Sequence, residues 1–352
     1  MKILVISLAG IGDTLFATPL IRELRANFPD ATIDALVKEA GARDLLENNP
    51  QLNRVFYKNL LKCGRLEGVR FLWSLRRECY QLSINTHPQS RIHYRIAARL
   101  VGAATRVSHE YERFTRLDRW LVNRTLPQDY TRHAVENNLA VLPLVGARQK
   151  LTAHELGIYL TPEEERWADD FLAQNRLAGK RWLGIHVGSG GTKNLALRRW
   201  PLENYIRLGR RLQAARPESP VLFFGGPEEK NDHDKIRREL PGAIFPPTKN
   251  LRQAAALLRH AQSFLSVDTA LMHVAAAMKV PAQAVIETPT WNKPIEPFGN
   301  AFTLVNNPVV NGRGLDYYRY DGDHIKGTRE ELLACMESVT VESVFDVINR
   351  RL

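Results

Sequence analysis

Three short stretches of this chain carry residue types whose spacing suits chemistry on a charged ligand. The first, SLAGIGDTLFATPL, places Gly10, Gly12 and Asp13 where an apolar run turns into a helix. Glycines there allow a tight bend, but the spacing is not GxGxxG and no Lys follows to make a phosphate loop. A carboxylate also repels phosphate, so Asp13 either caps the helix or takes a proton from an attacking hydroxyl. The second stretch, GSGGTKNLALRRWP, is suited to an anion. The amides of Gly188, Ser189, Gly190 and Gly191 can form a nest, with a hydroxyl from Thr192 and positive charge from Lys193, Arg198 or Arg199. A diphosphate leaving group needs such neutralisation, although a Gly-rich loop is also an ordinary connection. In the third, SVDTALMHVAAA, the amides of Thr269 and Ala270 open a helix against which a phosphate can sit. Asp268 caps that helix or orients a ligand hydroxyl, and His273, one turn in, reaches the ligand or satisfies a core backbone group. After the next strand come Glu287, Thr288, Thr290, Trp291 and Asn292, where Glu287 could hold a ribose and Trp291 could contact a ring.

The elements around these stretches alternate between strand and helix. Lys2 to Ser7 reads as a strand, and the helix after it carries Leu15, Leu20, Ile21 and Leu24 on one side. ATIDALV, RVFYK, YQLSINTH and ATRVSH read as further strands, separated by helices over AGARDLLEN, Leu66 to Arg77 and RIHYRIAARL. No hairpin signal interrupts the series, which is the pattern of a parallel sheet covered on both faces. Thr131 to about Gly179 reads as helical and polar; within it Thr161 caps, Pro162 takes the first helical position, and three Glu face the amide end of the dipole. A second βα series runs from WLGIHV to PAQAVIE. These patterns predict an α/β protein with two Rossmann-like domains whose parallel sheets face each other across a cleft. Residues 1–160 form the first domain, 161–327 the second, and a helical tail, 328–352, is expected to pack back on the first.

Length and composition agree with two domains. The chain has 352 residues and is 44% hydrophobic, more than one core usually holds. Three cysteines without CxxC or Cys/His spacing offer no zinc or iron site and suit a reducing compartment. No leader-like cleavage site follows the first apolar run and no long uncharged stretch occurs, so a cytoplasmic protein is expected. The net charge is +11, and from Arg54 through Arg132 there are 16 basic residues against 6 acidic ones. Most are Arg, whose fork suits phosphate and carboxylate, and a nucleic acid, an anionic membrane face or a phosphorylated acceptor would each be attracted there. No nucleic-acid motif accompanies the basic stretch, so a nucleic-acid partner is not expected.

Together and in this order, the three stretches resemble glycosyltransferase family 9, the heptosyltransferases of lipopolysaccharide core synthesis. SLAGIGDTLFATPLIREL matches the family's strand, G-D loop and Pro-containing helix. IHVGSGGTKNLALRRWP matches its strand, Gly loop, basic residue and Trp-Pro, and DTALMHVAAA matches D-T/S-G-x-x-H-x-A-A-A with Ala270 in place of Gly. The resemblance implies a GT-B fold, with the acceptor held mainly by the first domain and the sugar nucleotide by the second. It implies that Asp13 is the general base of an inverting transfer, and that Arg198 stands where the family commonly has Lys, with Lys193 able to take over its phosphate contact. Glu228, in GGPEEK, is the implied acidic donor contact, and ETPTWNKPIEPFGN replaces the family's F-G-x-T. ADP-heptose is the implied donor, without a cofactor, and the absence of an Asp-x-Asp pair from either loop suggests a metal-independent reaction. The implied acceptor is the phosphorylated Kdo or heptose region of a lipid A core, met at the cytoplasmic face of the inner membrane. Gly12, Thr14 and Arg65 are the expected acceptor contacts. A transferase using another nucleotide sugar, or a basic nucleic-acid-binding protein, are the alternative readings.

Overall fold

In a computed structural model, residues 1–60, 62–189, 195–312 and 328–350 are described. They divide into two compact units that meet in sequence between Tyr159 and Leu160. The first contains β1 (Lys2–Ser7), α1 (Ile11–Leu15), α2 (Thr18–Asn27), β2 (Thr32–Val37), α3 (Ala40–Leu46), β3 (Arg54–Tyr57), α4 (Arg65–Ser74), β4 (Leu82–Asn85), α5 (Ile92–Val101), β5 (Thr105–Glu110), α6 (Arg116–Leu121), β6 (Arg124–Pro127) and α7 (Ala134–Leu139). Its strands form one sheet in the order β3-β2-β1-β4-β5-β6, every pairing parallel. Crossovers leave β1 in both directions, so helices cover both faces and β1 and β2 are buried on both sides. That is why KILVIS and TIDALV are nearly continuous apolar runs instead of alternating ones.

The helix expected after Asp13 is two helices. Pro19 has no N–H for the Leu15 carbonyl, and in a continuous helix its ring would strike that carbonyl. The chain turns at Phe16 and Ala17, and the Thr18 hydroxyl donates to the Leu15 carbonyl at 2.7 Å. α6 and β6 add to the expected series. β6 is a four-residue edge strand with exposed ends, too short to show a period.

The polar stretch after Thr131 is also less helical than expected. α7 ends early, a short helical turn closes at Gly146 with φ +72°, and residues 147–159 run irregularly back along α2. The buried Glu23 holds this return, its carboxylate accepting from the Lys150 and Leu151 amides at 2.9 Å and facing His154 Nε2 at 2.9 Å. Burial would raise the Glu23 carboxyl, but these bonds outweigh it and hold it below its usual range.

The second unit contains α8 (Pro162–Gln174), β7 (Leu183–His186), α9 (Leu202–Ala215), β8 (Val221–Phe224), α10 (Lys230–Glu239), α11 (Leu251–Leu258), β9 (Ser263–Ser266), α12 (Ala270–Ala277), β10 (Ala282–Ile286), β11 (Phe302–Val305), α13 (Arg329–Glu337) and α14 (Val341–Asn349). Its sheet runs β11-β10-β9-β7-β8, again wholly parallel. The Thr161 hydroxyl caps α8 by accepting from the Glu164 amide, and Glu164 pairs with buried Arg252 of α11.

The tail corrects the expectation that it returns to the first unit. Val341, Val344, Phe345 and Ile348 lie on one face of α14 and join the second unit's core with Leu212, Val305 and Met336. α14 packs on α9, β10 and β11. The reason is local: α9 and the edge of this sheet present the apolar surface that a helix with four inward residues needs.

Candidate active site

In the first unit the turn from β1 to α1 is held by local hydrogen bonds. The Gly10 amide donates to Asp13 Oδ2 at 2.7 Å, so the carboxylate braces the start of its own helix while its side chain stays partly accessible. A Cβ at Gly10 would lie 2.9 Å from Asp13 Oδ2, so a larger residue there would crowd the carboxylate. Gly12 is partly accessible beside it. Thr14 is wholly buried: Ser7 donates to its hydroxyl at 3.2 Å, and that hydroxyl donates to the Gly10 carbonyl. Its expected role as an acceptor contact is therefore corrected to that of a lock on the turn. Arg65 is the exposed first residue of α4.

Beneath the turn lies a residue that the sequence motifs do not include. The buried Gln89 accepts from the Leu8 amide at 3.3 Å and donates to the Ile6 and Thr86 carbonyls, tying the carboxyl ends of β1 and β4 together. The Gln89 amide donates to the Tyr111 hydroxyl at 2.7 Å. Buried Arg95 donates to the Gln89 and Ser90 carbonyls and pairs with buried Asp118 at 2.5 Å. The only signal in sequence is position, since His87-Pro88-Gln89 follows a strand at the carboxyl edge, where α/β sheets place their sites.

The second unit builds its loops on charge. Gly188 follows β7, and a Cβ there would fall 2.3 Å from Glu229 Oε1 and 2.8 Å from His186 Nε2, so any other residue would have to displace these side chains. Arg199 pins the next residue, Ser189. Its guanidinium donates to the Ser189 hydroxyl at 3.3 Å and carbonyl at 3.1 Å, and reaches Glu229 and Asp232 at 3.4 Å. Glu229, not the exposed Glu228 next to it, is the acidic residue brought to this loop. Burial raises its carboxyl, against the opposing pull of the Gly226 amide and Arg199. Glu228 is the expected donor contact; the adjacent position meets the Gly loop because the short helical turn at Pro227–Glu229 points it inward. Gly190, Gly191, Thr192 and Lys193 lie outside the described residues.

Arg198 faces a different partner. It donates to Asp268 Oδ2 at 2.6 Å and to the Thr290 hydroxyl at 3.2 Å, while its buried Nε–H has no hydrogen-bond partner among the described residues. Burial raises the Asp268 carboxyl and Arg198 opposes that shift. Thr269 is the residue that caps α12, its hydroxyl accepting from the Met272 amide at 3.3 Å, which leaves Asp268 to hold Arg198. Ala270 opens α12 and His273 is buried one turn in. His186 Nδ1 lies 3.2 Å from the Thr269 hydroxyl, and burial pushes that imidazole down to about 3, so it is neutral at physiological pH. The guanidinium, the cap and the end of β7 thus meet at one sheet edge, an arrangement that can bind a phosphate group.

Two other expected contacts have structural partners. Both oxygens of the buried Glu287 accept backbone amides, from Asn307 and Gly312, each at 2.9 Å, which fixes the chain after β11. Trp291 is buried against Met272 and Val285, so it belongs to the core and not to a ring-binding wall. The Trp-Pro pair also braces the fold, because buried Trp200 donates to the Val339 carbonyl at 2.8 Å and α13 packs on the turn Leu195–Arg198. The tail therefore supports the backbone that carries Arg198. Among the described residues, no group of three or more His, Cys, Asp or Glu side chains is placed to hold a metal.

Two consecutive all-parallel α/β units, each with a polar turn at the carboxyl edge of its sheet, have the architecture of the GT-B fold. Solved structures share the fold. The glycosyl transferase family 9 protein of Veillonella parvula superposes with a TM-score of 0.76 at 17% identity, covering 99% of this chain and 96% of its own. The Escherichia coli heptosyltransferase WaaC with ADP-2-deoxy-2-fluoro heptose gives 0.71 at 18%, covering 100% of both chains. In sequence, the lipopolysaccharide heptosyltransferase 3 of Escherichia coli is 27% identical over 281 residues, 77% of this chain and 78% of that protein. The model of glycosyltransferase family 9 (heptosyltransferase) matches residues 69–309, well over half of the chain, which belongs to that family and is a glycosyltransferase.

Proposed function

We propose that this protein transfers heptose from ADP-heptose to the Kdo or heptose region of a lipopolysaccharide inner core, with inversion and without a metal. The single observation that carries the donor half is the Arg198 guanidinium, held by Asp268 and Thr290 beside the capped start of α12. Such a group neutralises a diphosphate as its bond to carbon breaks. The Gly188 loop, Thr192, Lys193 and His273 complete the proposed donor site. Asp13 takes the proton from the acceptor hydroxyl, and the acceptor oxygen forms its bond to the anomeric carbon on the face opposite the nucleotide. The bond from that carbon to the diphosphate oxygen breaks with its electron pair, and ADP leaves with the charge. Gly12 and Arg65 belong to the acceptor side.

Family membership and the relatives' heptosyl activity support this reading. Incubation with ADP-heptose and truncated core lipids, followed by mass measurement of the product and assignment of its anomeric configuration, tests it. Addition of one heptose with inverted configuration is expected. Transfer from a UDP- or GDP-sugar but not from ADP-heptose, or retention of configuration, overturns it.

A further inference from the structure

Most of the large apolar side chains that the described residues expose lie on three neighbouring helices of the first unit. On α4 they are Leu66, Val69 and Trp73, on α5 Ile92 and Ile96, and on α6 Leu117 and Trp120. The exposures are high, at 75% for Leu66, 56% for Trp73 and 61% for Trp120. The spacings i, i+3, i+7 on α4, i, i+4 on α5 and i, i+3 on α6 are those of single helix faces. Each helix also has a buried side, through Leu72, Ala97 and Leu121 respectively, so these apolar residues form a second, outer stripe.

The topology puts the three stripes on one side of the unit. β3, β4, β5 and β6 follow one another in one direction across the sheet, and right-handed crossovers in one direction place their helices on one face. α4 packs on α5 and α5 on α6. Arginines frame the stripes: exposed Arg70, Arg76 and Arg77 by α4, and Arg116 and Arg119 on α6. Arg76 lies 4.5 Å over the Trp73 ring and Arg99 4.7 Å over that of Trp120. The acidic residues of these helices are neutralised, Glu67 by Lys58 and Asp118 by Arg95.

We propose that the outer faces of α4, α5 and α6 dock on an anionic lipid bilayer, their Trp and aliphatic side chains entering the headgroup layer while the arginines meet lipid phosphates. Charge decides between occupants. A second copy would bring arginines against arginines, and a nucleic acid would leave five exposed aliphatic side chains unmatched. An anionic bilayer satisfies both kinds of group, with aromatic rings at its interface and cations at its phosphates. The inference rests on the transferase reading for its purpose, because a lipid-borne acceptor has to be met at a membrane. No helix among the described residues is long and apolar enough to cross one, so this is contact from the surface.

Flotation of the full chain with phosphatidylcholine vesicles, and with vesicles enriched in phosphatidylglycerol, tests the surface. Wild type is expected to float with the anionic vesicles, and added salt should weaken binding. The double variant Trp73→Ser/Trp120→Ser should bind at least about tenfold more weakly at an unchanged melting temperature. Arg70→Gln/Arg116→Gln should lose the preference for anionic lipid. The Trp variant should also keep transfer to a truncated water-soluble acceptor and lose transfer to the same sugar on a vesicle-embedded lipid. Absence of flotation, flotation equal in the Trp variant, or a wild-type dimer that the Trp variant dissociates without any lipid binding would each overturn the proposal. Lipid binding with the expected mutational pattern but no sugar transfer would instead sink the transferase reading and leave the surface standing.

Discussion

The turn that carries Asp13 and the loop that begins at Gly188 occupy comparable places in their respective units, each leaving an interior strand at its carboxyl edge, yet they are built from different materials. The first is closed by neutral bonds from Ser7, Thr14 and Gln89 and carries one acidic side chain, braced by the Gly10 amide. The second is a set of charges, Arg198 with Asp268 and Arg199 with Glu229 and Asp232, around a neutral His186. A proton acceptor needs placement and an available lone pair, whereas an anion needs fixed positive charge already compensated for burial. The contrast suits a division in which the first unit activates the acceptor and the second receives the departing diphosphate.

The comparison can be broken most sharply at Asp13. Asp13→Ala is expected to lower kcat by about 10³-fold, within the range for loss of a general base, with little change in donor KM. A steady-state assay reads this. Next comes Arg198→Gln, which removes the compensation of buried Asp268 together with the proposed phosphate contact. A fall in kcat/KM for the donor of roughly 10²-fold is expected. Gly188→Ala should cost about 1–3 kcal/mol in thermal or urea unfolding, because its methyl group has to displace Glu229 and His186.

The last test concerns pH. His186 titrates near 3 when folded against an ordinary value near 6.5, so its protonation favours the unfolded chain. The stability it contributes is full above about pH 6.5 and is lost as pH falls toward 3. His186→Gln should flatten the acid limb of a stability profile over that window.

Much of this is legible in the residues. Buried parallel strands write themselves as apolar runs, so β1, β2 and β7 are readable, as is the Thr161 and Pro162 start of α8. Edge strands β6 and β11 are not, because most of their residues stay partly accessible, so no buried apolar run marks them and pairing decides them. Thr269 and Asp268 read as one ambiguous cap, which only the Met272 amide and the Arg198 guanidinium separate. Glu228 and Glu229 are chemically alike in sequence; which of them turns inward depends on a single backbone turn. The destination of α14 depends on which surface offers a matching groove, and nothing in its own pattern names that surface.

The proposed division of labour is tested most directly by calorimetric titration of ADP into the wild type, Asp13→Ala and Arg198→Gln. ADP is expected to bind Asp13→Ala within about twofold of the wild-type Kd and Arg198→Gln at least about tenfold more weakly, as loss of a charge-assisted phosphate contact requires. Equal weakening in the two variants, or loss confined to Asp13→Ala, would contradict it.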